Sequence, residues 1–132
     1  MSRATFFFQD ETERVLKDWD GHIYMTAVKD TTDRMELTAP LPCGDGYVPK
    51  GFQWNGATVG PLRHCPIIGF PKWKHPIATC RHDFRCGLAM TFEERLIADR
   101  LFRRDVGIRG TRWERLKGYI GVRIGAYFSI LF

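Results

Sequence analysis

The pattern of apolar and polar residues changes character about midway along the chain. In residues 1–60, short apolar segments alternate with turn-forming residues, which is typical of β-strands. The segments are Ala4–Gln9, Arg14–Trp19, His22–Val28 and Met35–Ala39. Asp20-Gly21 separates the second from the third, and Asp-Gly in that position is a strong hairpin signal. The first half is therefore predicted to form a small antiparallel sheet.

A helical pattern begins after the loop-like, Pro-rich segment Gly60–His75. Pro76 suits the first turn of a helix, because its missing N–H has no partner there in any case. Gly87 is a typical residue just beyond a helix end. The first predicted helix therefore runs from Pro76 to about Cys86.

Two further helices are marked by the same N-terminal device. Thr91 and Glu94 form a capping box that opens a second helix, which is predicted to end near Gly107. Thr111 and Glu114 repeat the capping box for a third. The chain is therefore predicted to be a single α+β domain over residues 1–132, with a small N-terminal antiparallel sheet followed by a three-helix C-terminal half. Strands and loops dominate 1–60, and helices dominate 61–132.

Charge is distributed unevenly over these 132 residues, although the net charge is only +5. Residues 1–60 sum to −3 and residues 61–132 to +8. A basic half suits nucleic acid, anionic lipid or an acidic protein partner, and it equally suits helices whose arginines pair with internal carboxylates. We do not expect nucleic acid as a partner, because the charge of six arginines is the only feature that suggests it. They are Arg100, Arg103, Arg104, Arg109, Arg112 and Arg115.

The N-terminal segment lacks the features of a secretory signal, and no apolar stretch reaches the ~20 residues of a membrane span. We therefore expect that the chain is synthesised in a cytoplasm and is not an integral membrane protein. The four cysteines are Cys43, Cys65, Cys80 and Cys86. Free thiols are the favoured interpretation. The alternatives are a Cys65–Cys80 disulfide, or a zinc site formed by Cys65, Cys80, Cys86 and either His64 or His75.

Candidate chemistry centres on the adjacent pair His82-Asp83 in the first predicted helix. An imidazole can serve as a general base, and the next carboxylate can bind a hard cation. Helical geometry turns Asp83 about 100° away from His82, so each faces a different neighbour. The structural alternative is that both side chains only hydrogen-bond or pair within the fold.

Asp99 lies on the apolar arc of the second predicted helix and therefore needs a partner. His82 is one candidate. An Arg95–Asp99–Arg103 ladder, with arginines four residues to either side, would explain Asp99 without any function.

The loop from Val48 to Thr58 completes the candidate site. It contains Asn55, Gly56 and Thr58, and a glycine allows carbonyl groups to converge on a cation such as Ca²⁺. An ordinary turn is the simpler interpretation of the same residues.

Four separated motifs resemble one phage and prophage family of unknown function. This chain reads VPKGFQWNGAT, RHDF, ADRLF and VRIGAY, and the family reads VPxGFxxDxAS, HDxL, ADxxF and VRxFG. Asn55 replaces the acid of the family's loop, and Thr58 replaces its serine. The resemblance implies a phage origin, other virion proteins as partners, and residence in the host cytoplasm and then in the phage particle.

A second, partial resemblance covers GFPKWKHPIATCRHDF and RLIADRLFRRDV, which are similar to the core of small prokaryotic phospholipases A2. It implies that His82 is the general base, that Asp99 orients it, and that Asp83 and loop carbonyls hold Ca²⁺. Two hypotheses follow. One is a phage-encoded hydrolase acting on a lipid or other ester or amide of the host envelope. The other is a non-enzymatic tail or baseplate component in which these residues stabilise the fold.

Overall fold

A computed structural model of the chain describes residues 3–10, 12–20, 24–29, 34–56 and 75–131. Short strands precede three long helices in these ranges, which confirms the predicted α+β class. The strands are β1 (Met25–Ala27), β2 (Met35–Leu37), β3 (Leu41–Cys43), β4 (Gly46–Val48) and β5 (Gln53–Trp54). The helices are α1 (Thr12–Asp20), α2 (Pro76–Leu88), α3 (Phe92–Arg109) and α4 (Arg112–Leu131).

The strands form two small antiparallel sheets in place of the single predicted one. Strands β1, β2 and β5 lie in that order, with β2 in the centre. Strands β3 and β4 form a separate hairpin in which Leu41 lies opposite Val48. The N–H of Leu37 in β2 donates to the carbonyl of Phe52 at 3.0 Å, which extends the pairing of β2 with the segment before β5.

The strand predicted at Ala4–Gln9 is wrong, because Arg3–Phe7 forms a short 3₁₀ helix. Its backbone carbonyls are engaged by distant groups instead of by a neighbouring strand. The carbonyl of Thr5 accepts from the N–H of Asp45 at 3.0 Å, and that of Phe6 accepts from Nε of Arg85 at 2.7 Å. The aromatic composition of this segment favours a strand, but its backbone carbonyls bond groups far along the chain, and these contacts decide its conformation.

The hairpin predicted around Asp20-Gly21 is also wrong, because residues 12–20 form helix α1. Val15 and Leu16 are buried and Trp19 is half-buried, so the apolar side chains recur at helical spacing. Residues 21–23 lie outside the described ranges. The segment His22–Val28 does supply strand β1, but β1 pairs with β2, where Met25 lies opposite Leu37.

Two predicted helix ends fall short of the observed ends. Helix α2 continues through Gly87 to Leu88, and α3 continues through Gly107 to Arg109. The capping boxes are confirmed: the N–H of Glu94 donates to Oγ1 of Thr91, and that of Glu114 to Oγ1 of Thr111, both at 3.1 Å. The loop-like segment Gly60–His75 lies outside the described residues as far as residue 74.

Helix α2 separates two apolar clusters and uses opposite faces for them. One cluster joins the sheets to α2 and contains Val15, Leu37, Leu41, Cys43, Val48, Trp54 and Cys80. The other joins α2 to α3 and α4 and contains Ala78, Phe102 and Val106, with Val122 packed against it. The predicted apolar face of α2, Ile77, Cys80 and Phe84, is confirmed because all three contact the first cluster.

A buried layer of charged residues ties the N-terminal segment to α2 and α3. Arg81 and Arg85 are both fully buried. Arg81 pairs with Asp10, and Nη2 of Arg104 lies 3.1 Å from Asp10 and 2.9 Å from Asp105. Asp10 also accepts from the N–H of Gly44 at 3.1 Å. Charged groups removed from water need such partners, so these contacts fix where residues 3–10 lie.

Three glycines give a matched test of this packing. Gly44 has φ +62° and a Cβ there would lie 2.4 Å from the carbonyl oxygen of Thr5, whereas Gly51 has φ +92° and open space around it. We expect Gly44→Ala to lower the free energy of unfolding by at least about 2 kcal/mol, and Gly51→Ala by roughly 1 kcal/mol from backbone strain alone. Gly87→Ala, in helix α2 with open space, should raise it by up to about 1 kcal/mol. Urea denaturation of the three variants measures the order, and equal effects of the first two would contradict the close approach to Thr5.

Candidate functional site

The candidate site lies where α2, α3 and α4 meet. His82 comes from α2, on the face that carries Ala78 and opposite the face packed against the sheets. Its ring packs against Phe102 of α3, with 4.8 Å between ring centroids. The predicted surroundings of small residues are confirmed for Ala78 and Cys86, whereas the side chain of Thr79 bonds Trp54 beside the sheets.

His82 and Asp99 are within direct hydrogen-bonding distance. Nε2 of His82 lies 2.7 Å from Oδ1 of Asp99, and both residues are buried. The predicted contact between these two residues is thereby confirmed, although they are on different helices and 17 positions apart. The hydrogen bond places the Nε2 proton toward the carboxylate, so Nδ1 is the basic nitrogen of the neutral ring.

Asp99 has two arginine partners in addition to His82. Nε of Arg95 lies 3.1 Å from Oδ1, and Nη1 of Arg123 lies 2.7 Å from Oδ2. The predicted ladder is thus correct for Arg95 and wrong for Arg103, whose guanidinium lies 5.3 Å from the ring centroid of Tyr119 instead. Arg123 belongs to α4, and no local spacing in the sequence connects it with Asp99.

The electrostatics of the pair favour a neutral imidazole beside an ionised carboxylate. Burial lowers the pKa of His82 and outweighs the raising effect of its hydrogen bond to Asp99. Burial acts to raise the pKa of Asp99, but the hydrogen bond from His82 and the charge of Arg95 bring it below the ordinary value. His82 is therefore unprotonated at neutral pH and able to accept a proton.

Cys86 brings a third potential ligand atom to the same place. Its Sγ lies 3.3 Å from Nε2 of His82, and the ligand atoms of His82, Cys86 and Asp99 all lie within 4.8 Å of one another. Burial raises the pKa of the Cys86 thiol to about 12, and both oxygens of Asp99 already contact guanidinium groups. A hydrogen-bonded His–Asp pair therefore fits this geometry better than a metal bound by a thiolate.

The other cysteines among the described residues also give no support for a metal bound by thiolates. Cys43, Cys80 and Cys86 are free thiols. The alternative disulfide from Cys80 is therefore not formed, and Cys65 and His64 lie outside the described residues. Cys80 faces the first apolar cluster, on the other side of α2 from Cys86, so these two thiols do not share a zinc site.

Asp83 lies one residue beyond His82 and is half-buried. Burial raises its pKa to about 6 against the lowering effect of Arg95. It makes no hydrogen bond or ion pair with any residue in the described ranges. Asp83 is not in the group formed by the ligand atoms of His82, Cys86 and Asp99, and its role as a Ca²⁺ ligand stays a prediction.

The predicted loop begins beside α2. Nε1 of Trp54 donates to Oγ1 of Thr79 at 3.2 Å, which holds the end of β5 one helical turn before Asp83. Asn55 is half-buried, and Gly56 is buried with φ +71°, a left-handed conformation that glycine adopts readily. Thr58 lies outside the described residues.

The structure contains a second buried His–carboxylate pair that the sequence analysis does not predict. Nε2 of His75, just before α2, lies 3.0 Å from Oε2 of Glu114 at the start of α4, and both residues are buried. Glu114 was recognised from its capping box, but nothing local in the sequence assigns His75 to it. This pair offers an internal comparison for His82 and Asp99.

Comparisons of the chain with protein-family models, curated proteins and solved structures gave no match. The family resemblances drawn from the motifs therefore stay predictions. Among the described residues, no helix is long and apolar enough to cross a bilayer.

Asp83 gives a pH-dependent test of the site. Its pKa is about 6 in the folded chain against an ordinary 3.8, so the folded state binds more protons between these values and loses stability as pH rises through them. Asp83→Asn should therefore have a higher free energy of unfolding than the parent above pH 6, by up to roughly 3 kcal/mol, and the difference should vanish below about pH 4. Urea titrations between pH 3.5 and pH 8 measure this, with Glu93→Gln on the exposed surface as control. A difference independent of pH would contradict the burial of a charged Asp83.

Proposed function

We propose that this chain is a phage-encoded, virion-associated hydrolase that cleaves an ester or amide of the host envelope. The observation that carries the proposal is the buried hydrogen bond between His82 and Asp99. A neutral imidazole held in one tautomer by an ionised carboxylate is the arrangement that general-base catalysis requires. The phage origin, the envelope target and the passage from host cytoplasm to particle come from the motif resemblances.

In this proposal Nδ1 of His82 accepts a proton from a water molecule as the water attacks the carbonyl carbon of the substrate. Asp99 stabilises the imidazolium that forms, because its oxygen already contacts Nε2. Arg95 and Arg123 keep Asp99 ionised and fix its orientation. The protonated ring then returns its proton to the leaving oxygen or nitrogen, which completes the hydrolysis.

Asp83 and carbonyls of the segment that begins at Asn55 and Gly56 are the proposed holders of Ca²⁺. Bound there, the ion would polarise the carbonyl of the substrate. The hydrogen bond from Trp54 to Thr79 supports this proposal, because it holds the end of β5, next to Asn55, one helical turn from Asp83.

A second candidate function is a non-enzymatic component of the phage tail or baseplate. One observation favours it: Asp99 contacts groups from α2, α3 and α4 at once, and His82 is buried. Such an arrangement explains both residues as a clamp between helices. Removing the clamp would destabilise the fold whether or not the chain is an enzyme, so activity and stability must be measured separately.

His82→Gln and His75→Gln form a matched pair for that purpose. Each removes one buried imidazole from a carboxylate and leaves an amide in its place. We expect the parent to release fatty acid from phosphatidylglycerol vesicles, or fragments from peptidoglycan, in the presence of Ca²⁺. His82→Gln should lose at least about 100-fold of that rate, the usual contribution of a general base, whereas His75→Gln should lose little once its folded fraction is taken into account.

Thermal melting curves of both variants give the fraction that is folded at the assay temperature. Equal losses of rate in the two variants would contradict a catalytic role for His82. A folded parent without activity on either substrate would leave the structural candidate.

Calcium binding is tested apart from activity. A ligand that binds the folded state alone raises the melting temperature as its concentration rises, and we expect CaCl₂ to do so for the parent. Asp83→Asn should abolish the increase, because it removes the anionic oxygen. MgCl₂ at the same ionic strength controls for screening, and Glu93→Gln, which is exposed, controls for loss of charge. An equal increase in the parent and in Asp83→Asn would rule out Asp83 as a ligand.

A further inference from the structure

Helix α4 exposes a row of large apolar side chains along its outer face. Trp113, Leu116, Ile120, Ile124 and Tyr127 follow one another at intervals of three or four residues, so they lie on one side of the helix. Each is between 42% and 58% exposed. We call these five residues the α4 stripe. Trp113 and Tyr127 are fourteen positions apart, which corresponds to about 21 Å along the helix axis. The stripe is therefore a continuous apolar surface and not a set of scattered single residues.

The surroundings of the α4 stripe are basic. Lys117 lies four residues from Trp113 and three from Ile120, and Arg103 of α3 reaches α4 by lying over the ring of Tyr119. Arg112 is exposed at the start of the helix. The one acid in the sequence of α4, Glu114, is buried, so α4 presents cations and no exposed carboxylate beside its apolar row.

We propose that the α4 stripe binds the surface of an anionic lipid bilayer. Apolar side chains flanked by lysine and arginine are the composition of helices that lie at a membrane interface, where each cation near an anionic surface contributes roughly 1 kcal/mol. Trp113 and Tyr127 are at the two ends of the stripe, and these amphipathic rings favour the headgroup region. The proposal does not depend on catalysis by His82.

Charge also decides between a lipid surface and a second copy of the chain. Two copies packed through the stripe would bring Lys117, Arg112 and Arg103 of each close to basic residues of the other. Like charges in that position repel, and α4 has no exposed carboxylate to balance them. An anionic surface meets the same cations with opposite charge.

Flotation with vesicles of stated composition tests the proposal. Ether-linked phosphatidylglycerol mixed with phosphatidylcholine gives an anionic surface that ester hydrolysis does not alter, and pure phosphatidylcholine gives a neutral one. We expect the full chain to bind the anionic vesicles, to bind the neutral ones at least about tenfold less, and to be released by added salt. The double variant Ile120→Glu and Ile124→Glu should reduce binding to the anionic vesicles at least about tenfold.

Ile97→Glu is the matched control, because Ile97 is 38% exposed on α3 and lies off the stripe. It should bind nearly as the parent does, and so should His82→Gln, which separates this proposal from the catalytic one. Circular dichroism confirms that each variant is folded. Several results would overturn the proposal: no binding to anionic vesicles, equal binding to neutral vesicles, or equal loss in Ile97→Glu. A dimer in light scattering that the double variant dissociates would assign the stripe to a second copy.

Discussion

The buried carboxylate of Asp99 is the constraint on which the helical half depends. It receives a hydrogen bond or ion pair from His82 of α2, Arg95 of α3 and Arg123 of α4, at 2.7, 3.1 and 2.7 Å. An ionised carboxylate out of water is costly unless such groups surround it, and two guanidinium groups are equally costly without it. The position of each helix is therefore tied to the other two through one side chain.

That constraint has a consequence for chemistry as well as for packing. Because Arg95 and Arg123 keep Asp99 ionised, Asp99 can hold the imidazole of His82 in one tautomer with Nδ1 as its basic nitrogen. The same arginines share the negative charge of Asp99, which limits how far it can stabilise an imidazolium. A clamp between helices and a general base thus use the same atoms, and only a comparison with the His75–Glu114 pair separates the two roles.

The remaining polar groups have different roles in different parts of the molecule. Arg81, Arg85, Asp10 and Asp105 form a buried layer that holds the N-terminal segment against α2 and α3. Asp83, on the same helix, has no partner among the described residues, and burial raises its pKa to about 6. The outer face of α4 is neither part of the site nor covered by described residues, and its apolar and basic character is directed outward. The three-helix unit thus combines a buried His82–Asp99 contact inside with an exposed apolar row outside.

The sequence alone determined the α+β class, the starts of the long helices and the candidate trio of His82, Asp83 and Asp99, because capping boxes, helical spacing and adjacent chemistry are local signals. It misassigned Ala4–Gln9 and Arg14–Trp19, where aromatic and apolar residues suit a strand or a helix and distant partners decide between them. Only the tertiary structure brought Arg123 to Asp99, His75 to Glu114 and Asp10 to Arg81, since these contacts join residues between 24 and 71 positions apart. A buried charge must find a partner, but no pattern of neighbouring residues states which one the fold will bring.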